Sequence, residues 1–292
     1  MPYLADHNWN MFASSILIDI CARFGSDTFF VSPGYRDAPF IAALQLRNDL
    51  NLVSCFDERA AAFQALGWAK ARKKPAVLIC TSGTAGANYL PAVIEAKTDH
   101  VPLLIITADR PFELVFASAQ QVIDQRDLFG KFVKKSLDFP APSPQLNAKA
   151  WMSYARMLLE TTVDDRPGPV HLNLPFTAPL DPIIHDLRPS PLQISEAEDA
   201  IARLSFDRSA LTSTSWAEGL TQELVQKILL SQRGLLLVGR LQTDAEKSAI
   251  RMLRDRLSWP VFADIGSGLK FESEFEIPDL NLPQSRQWMD DY

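Results

Sequence analysis

Leu52-Val53-Ser54-Cys55-Phe56-Asp57-Glu58-Arg59 is the stretch on which the reading of this 292-residue chain turns. Leu52 to Phe56 is a mainly apolar run of the length and composition of a short buried strand. Glu58 to Lys70 has helical character, with Ala60, Phe63 and Gly67 on one face and Arg59, Lys70 and Arg72 on another. Glu58 therefore stands where a strand ends and a helix begins, which is the rim at which open parallel sheets bind ligands. A carboxylate in that place has two readings. It is a first-turn acid stabilised by the positive end of the helix dipole, or it is a functional group. Phe56, two residues earlier, is expected to bury part of it.

The same pattern repeats on either side. Phe12, Ile16, Ile20 and Phe24 recur every four residues and mark an amphipathic helix that Gly25 ends. Thr28-Phe29-Phe30-Val31 is a strand that runs into the turn Ser32-Pro33-Gly34-Tyr35-Arg36, and Ala38 to Leu46 is a second helix. Beyond Glu58, the strand Ala76 to Cys80 leads into Thr81-Ser82-Gly83-Thr84-Ala85-Gly86, and Asn88 to Ala96 is helical. Leu103 to Ile106 is a further strand, ending in Thr107-Ala108-Asp109-Arg110-Pro111. Continuous apolar strands alternating with helices predict an α/β fold, a doubly wound parallel sheet covered on both faces.

The later chain is read more coarsely. Ser118 to Gln125 is a loop or short helix, Val133 to Leu137 a strand, Ala148 to Leu159 a helix and Pro169 to Pro175 a last apolar strand. Pro179, Pro182, Pro189 and Pro191 then give a linker composition. The expected organisation is a first domain over 1–180, a linker over 181–192 and a second unit over 193–292. That second unit carries a helical stripe of Trp216, Leu220, Leu224 and Ile228, a strand at Leu235 to Gly239 and a capping-box pair Thr243 and Glu246. Another strand follows at Trp259 to Asp264. Two strands and two helices are too few for a doubly wound domain, so the second α/β domain reads as incomplete.

Composition narrows the function. The formal net charge of −6 gives no support for a nucleic-acid or anionic-membrane partner. No apolar run reaches a membrane span, and the N-terminus lacks the pattern of a signal peptide. Cys21, Cys55 and Cys80 all lie in apolar segments and read as buried free thiols of a reducing, cytoplasmic setting. The four histidines do not stand at metal-ligand spacing.

Several small motifs carry chemistry. Thr81-Ser82-Gly83-Thr84 is either a tight strand-to-helix turn or a place where backbone N–H groups meet an anion or a flat ring. Arg36 and Arg110 each follow a strand at the rim that Glu58 occupies. A guanidinium there either joins a surface ion pair or binds a substrate carboxylate through its planar fork. Gly266-Ser267-Gly268 follows a strand without the third glycine of a dinucleotide site. No Ser-His-Asp set, P-loop or cysteine pair is present.

Taken in order, the motifs resemble one family. They are Ser-Pro-Gly-x-Arg at 32–36, Asp57-Glu58-Arg59, Cys80-Thr81-Ser82-Gly83-Thr84-Ala85, Thr107-Ala108-Asp109-Arg110-Pro111, Gln121-x-Ile123-Asp124-Gln125 and His171-Leu172-Asn173-x-Pro175-Phe176. The string resembles the N-terminal part of the thiamine-diphosphate-dependent 2-succinyl-5-enolpyruvyl-6-hydroxy-3-cyclohexene-1-carboxylate synthases of the menaquinone pathway, most clearly up to about residue 180. The resemblance implies a pyrimidine-binding domain followed by part of a central domain. It implies that Glu58 bonds the aminopyrimidine of thiamine diphosphate and that the turn Thr81, Ser82 and Gly83 lies against the cofactor. It also implies that Tyr35, Arg36, Arg110 and Gln121 meet the substrates 2-oxoglutarate and isochorismate.

The family's diphosphate-binding domain, with its Gly-Asp-Gly motif and Mg²⁺, has no counterpart in this sequence. A homodimer or higher assembly, or a complementary diphosphate-domain chain, is therefore expected to complete the site, and the chain alone is expected to be inactive. Two departures stand out. Tyr35 replaces a serine usual in the family, and Asp37-Ala38 replaces small hydroxyl residues. They keep open another 2-oxo-acid decarboxylase or carboligase, while the missing domain keeps open a non-catalytic assembly module.

Overall fold

Alternation along the strands builds two cores from one sheet. In this computed structural model residues 4–145, 147–206, 218–231, 234–241, 243–257 and 259–272 are described. Strands β1 (Thr28–Ser32), β2 (Asn51–Ser54), β3 (Ala76–Cys80), β4 (Leu103–Asp109), β5 (Ser136–Asp138) and β6 (Pro169–Pro175) form one parallel sheet in the order β2-β1-β3-β4-β6-β5. Phe29, Val31, Val77, Ile79, Leu104, Ile106, Leu172 and Leu174 point to one face. There they pack under α1 (Trp9–Phe24), α2 (Ala38–Gln45), α5 (Ala148–Val163) and α6 (Pro191–Ala202). Phe30, Ala76, Leu78, Cys80, Leu103 and Ile105 point to the other face, under α3 (Glu58–Arg72) and α4 (Leu90–Thr98). Central strands buried on both sides explain the unbroken apolar runs at 76–80 and 103–106.

Chain direction reverses at the middle of the sheet. The connection from β1 leads outward to β2, while the one from β3 leads the other way to β4. The crevice outside the carboxyl ends of β1 and β3 is therefore the topological switch point, where doubly wound sheets bind their ligands.

Four features differ from the sequence reading. First, β2 is not buried. It is the edge strand, with Asn51, Leu52 and Ser54 exposed, and Phe56 beyond it is fully solvent-facing, so it gives Glu58 no cover. Second, α3 turns Ala61, Ala62, Ala65, Leu66 and Ala69 inward, while Ala60, Phe63 and Gly67 face out. Four of the five residues on that core face are alanines, which let the helix pack against the sheet. Third, α1 is buried almost all round rather than along one stripe, because it is held between the sheet, α2 and α5. Gly25 ends it at a φ of 97°.

Fourth, the chain divides by packing into Met1–Thr214 and Ser215–Tyr292, a border later than the 181–192 linker expected from the prolines. Ser190 caps α6 in a capping box with Gln193, and Ala197 and Ile201 enter the first unit's core. That helix went unread in the sequence because proline at its first turn has the same composition as a linker.

The second unit holds α7 (Glu218–Leu230), β7 (Leu236–Val238), α8 (Asp244–Leu257) and β8 (Val261–Ala263), with β7 and β8 parallel. The Thr243–Glu246 capping box is formed: Thr243 N–H donates to Glu246 Oε2 at 2.7 Å, and Glu246 N–H to Thr243 Oγ1 at 3.1 Å. Val238, Val261 and Leu269 make its small core. Trp216 of the predicted stripe lies outside the described residues. Among the described residues no helix is long and apolar enough to cross a membrane.

Candidate functional site

Five strand ends meet at the rim. β2 leads into Glu58, the first residue of α3. The cap is supplied by Asp57, whose Oδ1 accepts Ala60 N–H at 2.7 Å. Glu58 is half-buried, and its carboxylate has neither hydrogen bond nor ion pair among the described residues. A carboxylate that neither caps nor pairs is available to a ligand.

β1 ends in the turn 32–36, drawn tightly against the end of β3. A Cβ on Gly34 would stand 2.5 Å from Thr81 Cβ, so only glycine permits the approach. Arg36 N–H donates to Thr81 Oγ1 at 3.3 Å. Tyr35 is largely exposed and its hydroxyl donates to Asp181 Oδ2 at 3.2 Å. The phenol therefore lies along the outside of the rim.

Arg36 and Arg110 come together. Arg36 Nη1 donates to the Phe176 carbonyl at 2.7 Å. Burial, then the neighbouring Arg110, push the Arg36 pKa down, opposed by Tyr35 and Asp109. Both Nε atoms are buried without a partner, and neither arginine forms an ion pair among the described residues. Two half-buried cations that repel each other and keep unused donors favour an anion between them, and a planar carboxylate matches the fork.

The turn after β3 is closed rather than open. Thr81, Ser82 and Gly83 are all buried. Ser82 Oγ donates to the Gln121 carbonyl at 3.1 Å, and Gln121 Nε2 donates back to the Ser82 carbonyl at 3.0 Å. Gly83, at a φ of 86°, gives its N–H to Gln125 Oε1 at 2.7 Å. That N–H is not offered to an anion, and Gln121 is held against the turn at a φ of 57°. Structure thus brings Glu58, Arg36 and Arg110 to the rim with open valences, while Thr81, Ser82, Gly83 and Gln121 build its floor and Tyr35 its outer edge.

Beneath the floor runs a buried polar network that sequence reasoning left without a role. Gln125 Nε2 donates to Asn173 Oδ1 at 2.9 Å, and Asn173 Nδ2 donates to Asp109 Oδ2 at 2.9 Å and to Asp138 Oδ1 at 3.1 Å. Thr107 Oγ1 gives its hydrogen to Asn173 Oδ1 at 2.8 Å. With that hydrogen spent, Thr107 accepts from His171 Nε2 at 2.8 Å, and His171 Nδ1 accepts from Ser136 Oγ at 3.1 Å. His171 is therefore the neutral Nε2–H form, and burial pushes its pKa from 6.5 down to about 3. Burial also raises Asp109 and Asp138, with the Asn173 bonds pulling the other way. The available signal was a polar residue inside an apolar strand: Thr107 in β4, His171 and Asn173 in β6. Asp37, which the sequence marked as a departure in the substrate-facing turn, is instead fully buried at the start of α2.

A thiamine-type cofactor is tested against these residues at its two ends. Glu58 fits the pyrimidine end, since a ring nitrogen needs a carboxyl without another partner. For the diphosphate end, no group of three His, Cys, Asp or Glu among the described residues is placed to hold a metal ion. These residues do not supply that end.

Residues 11–128 match the family described as thiamine pyrophosphate enzyme, N-terminal TPP binding domain. The chain is 40% identical over 98% of its length to a 2-succinyl-5-enolpyruvyl-6-hydroxy-3-cyclohexene-1-carboxylate synthase of Syntrophus aciditrophicus, covering 49% of that protein. It is 38% identical to the synthase of the same name from Pelodictyon phaeoclathratiforme over 90% of this chain and 44% of that protein. It is 37% identical over 92% of its length to 16% of the chloroplastic protein PHYLLO of Arabidopsis thaliana. The chain thus spans about half the length of the bacterial relatives. Among solved structures, a thiamine diphosphate-dependent 4-hydroxybenzoylformate decarboxylase of Rhodococcus jostii RHA1 superposes with a TM-score of 0.67 at 18% identity. The match covers 85% of this chain and 43% of that one.

Proposed function

We propose, from the match of residues 11–128 to the N-terminal TPP binding domain family of thiamine pyrophosphate enzymes, that this chain is the pyrimidine-binding part of a synthase. The synthase would decarboxylate 2-oxoglutarate and add the remaining four-carbon unit to isochorismate. The relatives' names support the reaction. The observation that carries the substrate class is the Arg36–Arg110 pair, two cations at one rim that form no ion pair among the described residues, matched to a donor and an acceptor that are both carboxylated.

Bound thiamine diphosphate supplies the electron sink for decarboxylation. The chain's own residues do the rest of the work on this side of the site. Glu58 holds and exchanges a proton at the pyrimidine ring. Arg36 and Arg110 orient carboxylates, and Gln125 and Asn173 hold the end of β4 that carries Arg110. Mg²⁺ and the diphosphate fall to a diphosphate-binding domain from a second chain or another part of a longer protein, in a homodimer or higher assembly. By itself the chain is expected to be inactive and to bind thiamine diphosphate with Mg²⁺ more weakly than about 10 µM.

The test is made in the assembly completed by a diphosphate-binding domain. Given both substrates it should release CO₂ and the coupled product, and Glu58→Gln should slow exchange of the cofactor's C2 proton by at least about a hundredfold. Product formation with 2-oxoglutarate and a different acceptor, but none with isochorismate, would favour the other carboligase reading. Unchanged exchange in the Glu58 variant would sink the catalytic assignment.

A further inference from the structure

Asp37 lies at the hinge between the Ser32–Arg36 turn and α2, and it is wholly buried. Its Oδ1 accepts Gly34 N–H at 2.7 Å. Its Oδ2 is enclosed without a partner among the described residues. The turn it holds carries Arg36, and Thr81 pins that turn from the other side through the Gly34 contact and the Arg36 N–H bond.

The groups around Asp37 do not neutralise it. β1 and α2 contain no ionisable side chain. β3 contributes the Cys80 thiol and the 3-10 helix Gly83–Tyr89 contributes the Tyr89 phenol. Burial keeps both protonated, and Asp37 adds to that. From α3, Glu58 acts on Cys80. On α1 the ionisable residues are Asp19, Cys21 and Arg23, and Asp19 is taken up by Arg23 and Arg47. Arg36, next in sequence, reaches away to the Phe176 carbonyl. An ionised Asp37 would be a buried charge with one free oxygen and no cation.

We propose that Asp37 is the positioning residue of the Arg36 turn, and that its proton controls how tightly the Arg36–Arg110 pair holds a dicarboxylate. Protonated, the carboxyl holds Gly34 and keeps the turn, and Arg36 on it, in place. Ionised, it leaves a buried charge and an unpaired oxygen under the turn that carries Arg36, and the loosened turn weakens an anion's hold. The affinity half of this rests on the dicarboxylate reading above, whereas the Gly34 half does not.

The experiment uses the full chain, isotopically labelled for NMR, with 2-oxoglutarate as the probe. Burial pushes the Asp37 carboxyl up to about 7, so the Gly34 amide should titrate with a midpoint near that pH and be flat in Asp37→Asn, which keeps the acceptor. The Arg36 and Arg110 Nε–H signals should report 2-oxoglutarate binding about three- to tenfold weaker at pH 8 than at pH 6. In Asp37→Asn that pH dependence should vanish. A Gly34 amide indifferent to pH, or titrating unchanged in the variant, would overturn the role of Asp37. A normal Gly34 titration with no response of either arginine to the probe would instead overturn the dicarboxylate reading, and with it the affinity half.

Discussion

At the scale of single residues, the chain stores two buried ionisable groups with opposite pH behaviour. Burial raises Asp37 from 3.8 to about 7, so the folded state holds its proton more tightly than the unfolded one. Its contribution to stability is full below about pH 4 and is lost as pH rises through 7. Burial lowers His171 from 6.5 to about 3. Its contribution is present above pH 6.5 and is lost as pH falls towards 3. Between pH 4 and 6.5 the two slopes oppose, with Asp109 and Asp138 sharing the sign of Asp37. Asp37→Asn removes one member of the side that favours acid. Denaturant unfolding at several pH values should show the variant losing stability on acidification faster than the native chain, by up to about 1.4 kcal/mol per pH unit. Parallel slopes would show that Asp37 does not titrate in this window. Glu58, Arg36 and Arg110 were legible in the sequence because each follows a strand at one rim. Asp37 stood out in the sequence only as a departure within the turn that carries Arg36, and its complete burial needed the structure, because a carboxylate gives no sequence sign of being enclosed.

At the scale of elements, strand identity was written plainly and strand environment was not. Ala76 to Cys80 and Leu103 to Ile106 are central because they are apolar throughout. Leu52 to Phe56 has similar hydrophobicity, yet it lies at an edge, because position within a sheet follows from crossover direction rather than from composition. The two faces read for α3 both point outward, and a third, mostly of alanine, meets the sheet. The contact between the β1 and β3 ends yields a sharp expectation. Gly34→Ala places a methyl 2.5 Å from Thr81 Cβ and should cost about 2–4 kcal/mol. Adding Thr81→Gly removes the atom it strikes, so the double variant should lose less than the sum of the two single changes. Strict additivity would mean that the turn moves aside freely.

At the scale of the whole molecule, the motif string pointed to the domain family that residues 11–128 match, and the packing border needed the structure, because α6 folds back where prolines suggested departure. The order of the sheet also carries a consequence for how the chain is born. β5 pairs with β6 alone, and β6 inserts between β4 and β5. Asn173 on β6 is the last-made member of a network whose other parts, Thr107, Asp109, Gln125 and Asp138, leave the ribosome earlier. Until it arrives, those groups have no common partner and the Ser136–Asp138 segment has no neighbour to pair with. A chain released after residue 165 should therefore lack a cooperative melting transition, while one released after residue 206, with α6 included, should have it. A cooperative transition in the shorter chain would show that the first four strands stand alone. Otherwise the nascent chain waits, and its sixth strand acts as the keystone that turns a row of strands into a fold.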